Sequence, residues 1–173
     1  MNNSLEHGRL WGILVSIQKS ILMICSILAT LLVVANVFLR YVLKINFLGF
    51  EEIMCIVIMW MYFIGASYGS YEKSHISADM LSEKLKNRNA KILHSIIITT
   101  IDTMVLFFFC YLSIEYGIWN LNHMMHSASL KIPLISSQGA IIIGFLLMLS
   151  YNIYYLIMEI KNAILVLFKK LED

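Results

Sequence analysis

GFEEIMCIVIMWMYFIGASYGSYEKSHISADML, residues Gly49 to Leu81, decides the fold. The acidic pair Glu51 and Glu52 opens it, nineteen residues without a charge follow from Ile53 to Tyr71, and the polar run Glu72 to His75 closes it. A helix rises about 1.5 Å per residue, so this run reaches about 28 Å, the hydrocarbon thickness of a bilayer. It reads as a membrane span with both ends marked, and the rest of the chain repeats the pattern.

The 173 residues are 60% hydrophobic and 14% charged, with a single proline. Soluble domains carry about one-quarter charged residues, so the composition is that of an integral membrane protein. Hydrocarbon leaves backbone polar groups unsatisfied unless they pair within helices or closed barrels, and continuous rather than alternating apolar runs select helices. The expected class is all-α, a polytopic protein with four transmembrane helices plus interfacial amphipathic helices. A net charge of +2 without a basic cluster gives no basis for nucleic-acid binding. Cys25, Cys55 and Cys110 fall in apolar runs without a CxxC pair, which predicts neither a disulfide nor a metal cluster.

Taken in order, residues 1–19 place Leu10, Ile13, Leu14 and Ile17 on one face with Trp11 beside them, which predicts an interfacial helix along the membrane. Residues 20–39 form the first span, closed by Arg40 at the negative helix end. Polar residues through Lys19 precede it and no small-residue cleavage site follows, so it is expected to be retained rather than removed as a signal. The second span is 53–71. Within it Gly65 and Gly69, with Ala66 and Ser70 one residue on, make a small-xxx-small face suited to close helix packing, against either a partner or this chain. Residues 77–91 read as a surface amphipathic helix capped by Ser77, 92–114 as the third span, 115–131 as a polar connector, 132–158 as the fourth span with Pro133 in its first turn, and 159–173 as a tail. Ten of the thirteen lysines and arginines lie in segments 1–19, 72–91 and 159–173, which predicts that both termini are cytoplasmic.

Asp102 is the charge that interrupts a span, ten residues in and so about 15 Å deep. An aspartate at a helix centre costs roughly 2.5 to 3.5 kcal/mol to insert, so it should face protein or water, as a proton or cation relay or as a side chain bonded to Thr99, Thr103 or another helix. The five histidines lie in connectors or, for His94, at a span edge, which disfavours axial haem ligation. His123 and His126 stand at i, i+3 without an evident third ligand, so no metal site is expected. No nucleophile–base pair and no nucleotide fingerprint is present, so no catalytic residue is expected and the chain does not read as an enzyme.

Arg40-Tyr41 closing span one, Glu51-Glu52 opening span two, Trp60 followed by Phe63-Ile64-Gly65-Ala66, His75-Ile76 before Asp79, and Ser129-Leu130-Lys131-Ile132-Pro133 before span four resemble the small, DctQ-like membrane subunit of TRAP transporters, the tripartite ATP-independent periplasmic uptake systems. The resemblance covers nearly the whole chain. It implies a four-span subunit in the bacterial inner membrane, bound to a large membrane subunit that carries the sodium and substrate sites. A periplasmic binding protein delivers an organic acid, with sialic acid favoured and a C4-dicarboxylate next. The small subunit would hold no cofactor of its own and would act as scaffold. Trp60, Gly65, Ala66 and Gly69 would pack against the large subunit, and Arg40, Lys44, Glu51, Glu52 and Lys131 would lie on the periplasmic side, where they could dock the binding protein. Two rival readings stay open: a membrane anchor for a redox enzyme, and a self-sufficient small transporter that uses Asp102.

Overall fold

The computed structural model describes residues 9–45, 49–72 and 88–172. Among them are four helices: α1 (Arg9–Tyr41), α2 (Gly49–Tyr71), α3 (Arg88–His123) and α4 (Ile135–Glu172). All four are long and apolar enough to cross a bilayer, and the all-α polytopic class holds. The expected surface helix at 77–91 falls mostly outside the described residues, as do His75 and Asp79; Arg88 to Lys91 are the first turn of α3.

Charges fixed the expected boundaries, and the helices run past them. The break predicted between residues 19 and 20 is absent, because α1 continues for 33 residues from Arg9. Ser20 does not start a helix there: its hydroxyl donates to the carbonyl of Ser16 at 3.0 Å, within the running helix. Nor does the segment bury the face its hydrophobicity suggests. Ile13 and Ile17 are exposed, while Trp11, Leu14, Val15 and Gln18 turn inward. α3 is 36 residues long and α4 is 38, each over 50 Å at about 1.5 Å per residue, so they tilt in the bilayer or project beyond it. Pro133 precedes α4 instead of lying in its first turn. It pairs with His126 across the α3–α4 loop, and its carbonyl accepts the Ser136 N–H at 3.0 Å.

The helices form an open row in the order α1, α2, α4, α3, since α1 packs on α2, α2 on α4 and α4 on α3. α1 and α2 run antiparallel, as do α3 and α4, whereas α2 and α4 run parallel, and a polar contact marks each junction. Between α1 and α2, Gln18 Nε2 donates to Ser67 Oγ at 3.0 Å. Between α2 and α4, Trp60 Nε1 donates to the Ser136 carbonyl at 2.9 Å and Tyr155 OH to the Tyr71 carbonyl at 2.5 Å. Between α4 and α3, Asn120 Nδ2 donates to Gln138 Oε1, and Thr99 Oγ1 donates to Glu159 Oε2 at 2.8 Å. α1 reaches across to α4 through side chains: Tyr151 OH donates to Gln18 Oε1 at 3.0 Å, and the Trp11 ring lies 5.1 Å from that of Tyr151. Such bonds matter where no water competes, although each contributes only about 1 kcal/mol.

α2 and α4 approach each other closely through their backbones. A Cβ placed on Gly144 would fall 2.8 Å from the Cβ and 3.0 Å from the carbonyl oxygen of Phe63. Only glycine lets these two helices meet at that depth.

Candidate functional site

The C-terminus of α1, the N-terminus of α2 and the α3–α4 loop meet at one end of the row, termed here the loop end. Glu52, in the first turn of α2, organises it. Its carboxylate accepts the Ser127 hydroxyl at 2.7 Å, the Ser129 amide at 2.7 Å and the Leu130 amide at 2.8 Å. Ser127 Oγ in turn accepts the Ile132 amide at 3.0 Å. These bonds tie a loop that has Met124 and Lys131 in the left-handed region, at φ 47° and 54°, onto a helix more than seventy residues earlier in the chain. The backbone amides of Ser129 and Leu130 and the Ser127 hydroxyl hold the Glu52 carboxyl below its usual range.

Of the expected docking residues, Arg40, Lys44, Glu51 and Lys131 are exposed at this end. Glu52 is not free to join them, because its oxygens are already engaged within the chain. Lys44, just past α1, has φ 55°, a conformation that lets the Ile45 amide reach back to the Leu39 carbonyl at 3.1 Å. Beneath the loop, Glu52, Cys55, Ile56, Ser127 and Pro133 line a cavity of about 130 Å³, smaller than the roughly 300 Å³ at which pockets begin to enclose small-molecule ligands.

The residues expected to attach a partner are in part used inside the chain. Trp60 is anchored on Ser136 of α4. A Cβ on Gly65 would stand 3.5 Å from Leu22 Cδ2 of α1. Ala66 and Gly69 are half-buried on the same helix. Gly65 thus faces this chain's own first helix at ordinary contact distance.

Asp102 also lies elsewhere than expected. Thr99 bonds Glu159, and Tyr155, one turn before Glu159, bonds the last residue of α2. Asp102 is therefore level with the end of α2, far from the middle of the spans. It is exposed, and the threonines expected to bind it are otherwise engaged, Thr103 donating to the Thr99 carbonyl at 2.6 Å. Glu159, which sequence order places in the tail, lies one turn away through Thr99.

Charge patterning ends the third span just before Glu115, whereas α3 continues to His123, which leaves Glu115 within a long helix. His123 and His126 do not meet as a pair: the His123 Nδ1 lies 2.7 Å from the Trp119 carbonyl, and His126 bridges to Pro133. Among the described residues no three His, Cys, Asp or Glu side chains converge as metal ligands.

A row of helices long and apolar enough to cross a bilayer, joined by side-chain bonds and tied down at one end by a loop, defines a multi-pass α-helical membrane protein. The family model for tripartite ATP-independent periplasmic transporters, DctQ component, matches residues 29–162. The chain belongs to that family, a family of transporter components. No individually curated protein matches it.

Proposed function

We propose that this chain is the small permease subunit of a sodium-coupled uptake system for an organic acid. On this reading it sits in the bacterial inner membrane with both termini in the cytoplasm and serves as scaffold for a large transport subunit, which carries sodium and substrate. Sialic acid is the favoured substrate class and C4-dicarboxylates the next. The match to a transporter component over most of the chain carries the reading, and the shape agrees with it. An open row has two broad faces and two edges to offer, while the cavity at the loop end is too small for such an acid.

The loop end then faces the periplasm, and Arg40, Lys44, Glu51 and Lys131 are the residues offered to the binding protein. Glu52 acts from behind by fixing the loop that carries Lys131.

The test is reconstitution of the tagged chain with its large subunit and binding protein in proteoliposomes. Uptake of sialic acid or of a dicarboxylate should require all three proteins and an inward sodium gradient. Uptake by this chain alone would overturn the reading, as would failure of any larger membrane subunit to copurify from native membranes.

A further inference from the structure

We propose that the outer face of α3, centred on Glu115, is where the large subunit packs, through a membrane helix that brings a lysine or arginine to the Glu115 carboxylate. The inference rests on the reading above and adds to it the surface and the chemistry of the contact.

The register between α3 and α4 sets the depth of Glu115. Asn120 pairs with Gln138, and a Cβ on Gly117 would meet Ile142 Cδ1 at 2.6 Å. Glu115, two residues before Gly117, is thus level with the stretch around Gly144, whose backbone abuts Phe63 in the middle of α2. Counted along its own helix, it lies eight residues before His123, about 12 Å from the helix end. The central helices at that level are charge-free.

The direction of Glu115 follows from helical periodicity. Cys110, Ser113, Gly117 and Asn120 form the buried line against α4, and Glu115 is exposed on the opposite side. Around it Phe108, Tyr111, Leu112, Ile118 and Trp119 are all exposed. A carboxylate in the middle of an apolar, aromatic face is poorly suited to lipid and well suited to a cationic partner. Neither α3 nor α4 supplies the cation at this level, because α3 has no lysine or arginine after Lys91 and α4 has none before Lys161. Among the described residues Glu115 has no hydrogen-bonding or ionic partner. The outer face of α1 makes a useful contrast: Ile24, Ile27, Leu31, Val34 and Phe38 are exposed without a charge among them, as expected of a surface that meets lipid alone.

The experiment uses the membrane complex with the tag on the large subunit. Glu115→Lys should lower recovery of this chain by more than about tenfold, since it sets two cations against each other, and Glu115→Gln should lower it less. A benzoylphenylalanine at position 108 should photo-crosslink to the large subunit, and one at position 31 should not. Full recovery of Glu115→Lys, or no adduct from position 108, while the wild-type chain still copurifies would overturn this surface and leave the proposed function standing. An adduct from position 108 to a second copy of this chain would overturn it as well. Failure of the wild-type chain to copurify would overturn both. If Glu115→Lys does not accumulate, Glu115→Gln and the two photo-crosslinks decide.

Discussion

α2 and α4, the inner helices of the row, contribute Ile64, Ser67, Tyr71, Ala140, Met148 and Tyr151 to the interior, with Tyr151 at 0% exposure. The edge helices α1 and α3 are longer than α2 and just as apolar in character, yet α3 buries little beyond Cys110, Ser113 and Asn120, and α1 little beyond Val15 and Gln18. An inner helix is covered on two flanks by its own chain. An edge helix is covered on one and leaves the other to whatever surrounds it. Stability is therefore expected to reside in the middle of the row, with association at its edges.

The severest test of that division is at the α2–α4 crossing. Gly144→Leu would drive a side chain into the Phe63 backbone and should cost at least about 3 kcal/mol, seen as loss of the folded monomer in detergent on heating. Next comes the shared polar cluster. Tyr151→Phe removes the donor to Gln18 Oε1 and should lower stability by about 1 kcal/mol in the same melt. An unchanged melting temperature would mean that this bond does not hold the α1 end of the row.

Glu52→Gln should leave the global melt nearly intact. It should speed hydrogen exchange at the Ser129 and Leu130 amides, because the carboxylate that accepts both becomes a weaker neutral acceptor. Acid should act in the same direction. The folded carboxyl is held below its ordinary value, so its contribution is complete above the unfolded pKa and is lost as pH falls through the folded one. Lowering the pH should therefore accelerate exchange at these amides more in the wild type than in Glu52→Gln, once the intrinsic pH dependence is divided out. The smallest effect should come from Leu31→Ala on the outer face of α1, which should move the melt of the isolated chain by no more than about 0.5 kcal/mol. A large loss there would mean that the edge is covered after all.

Hydropathy made four helices legible because insertion depends on the sum of side-chain transfer energies over a local window, and that sum needs no knowledge of the fold. Their ends were harder to read. Glu115 and Ser20 look like boundaries in a list of charges and caps, but a helix continues wherever backbone bonding is kept, and neither residue prevents that. Gln18 looked like part of a polar lead-in and is nearly fully buried; its partners Ser67 and Tyr151 lie 49 and 133 residues away. Glu52 was visible as a helix-start carboxylate, while its loop partners were hidden by a separation of 75 or more residues.

Four long apolar helices and the family pattern were legible in the residues alone. Folding was needed to show that Gly65 meets α1 of the same chain, that Asp102 lies level with the end of α2, and that Glu115 stands uncovered at mid-depth. The physical reason is one of range. Burial of an apolar run is fixed by neighbours along the chain, whereas register and facing between helices are fixed by contacts such as Gly144 against Phe63, whose partners are far apart in sequence.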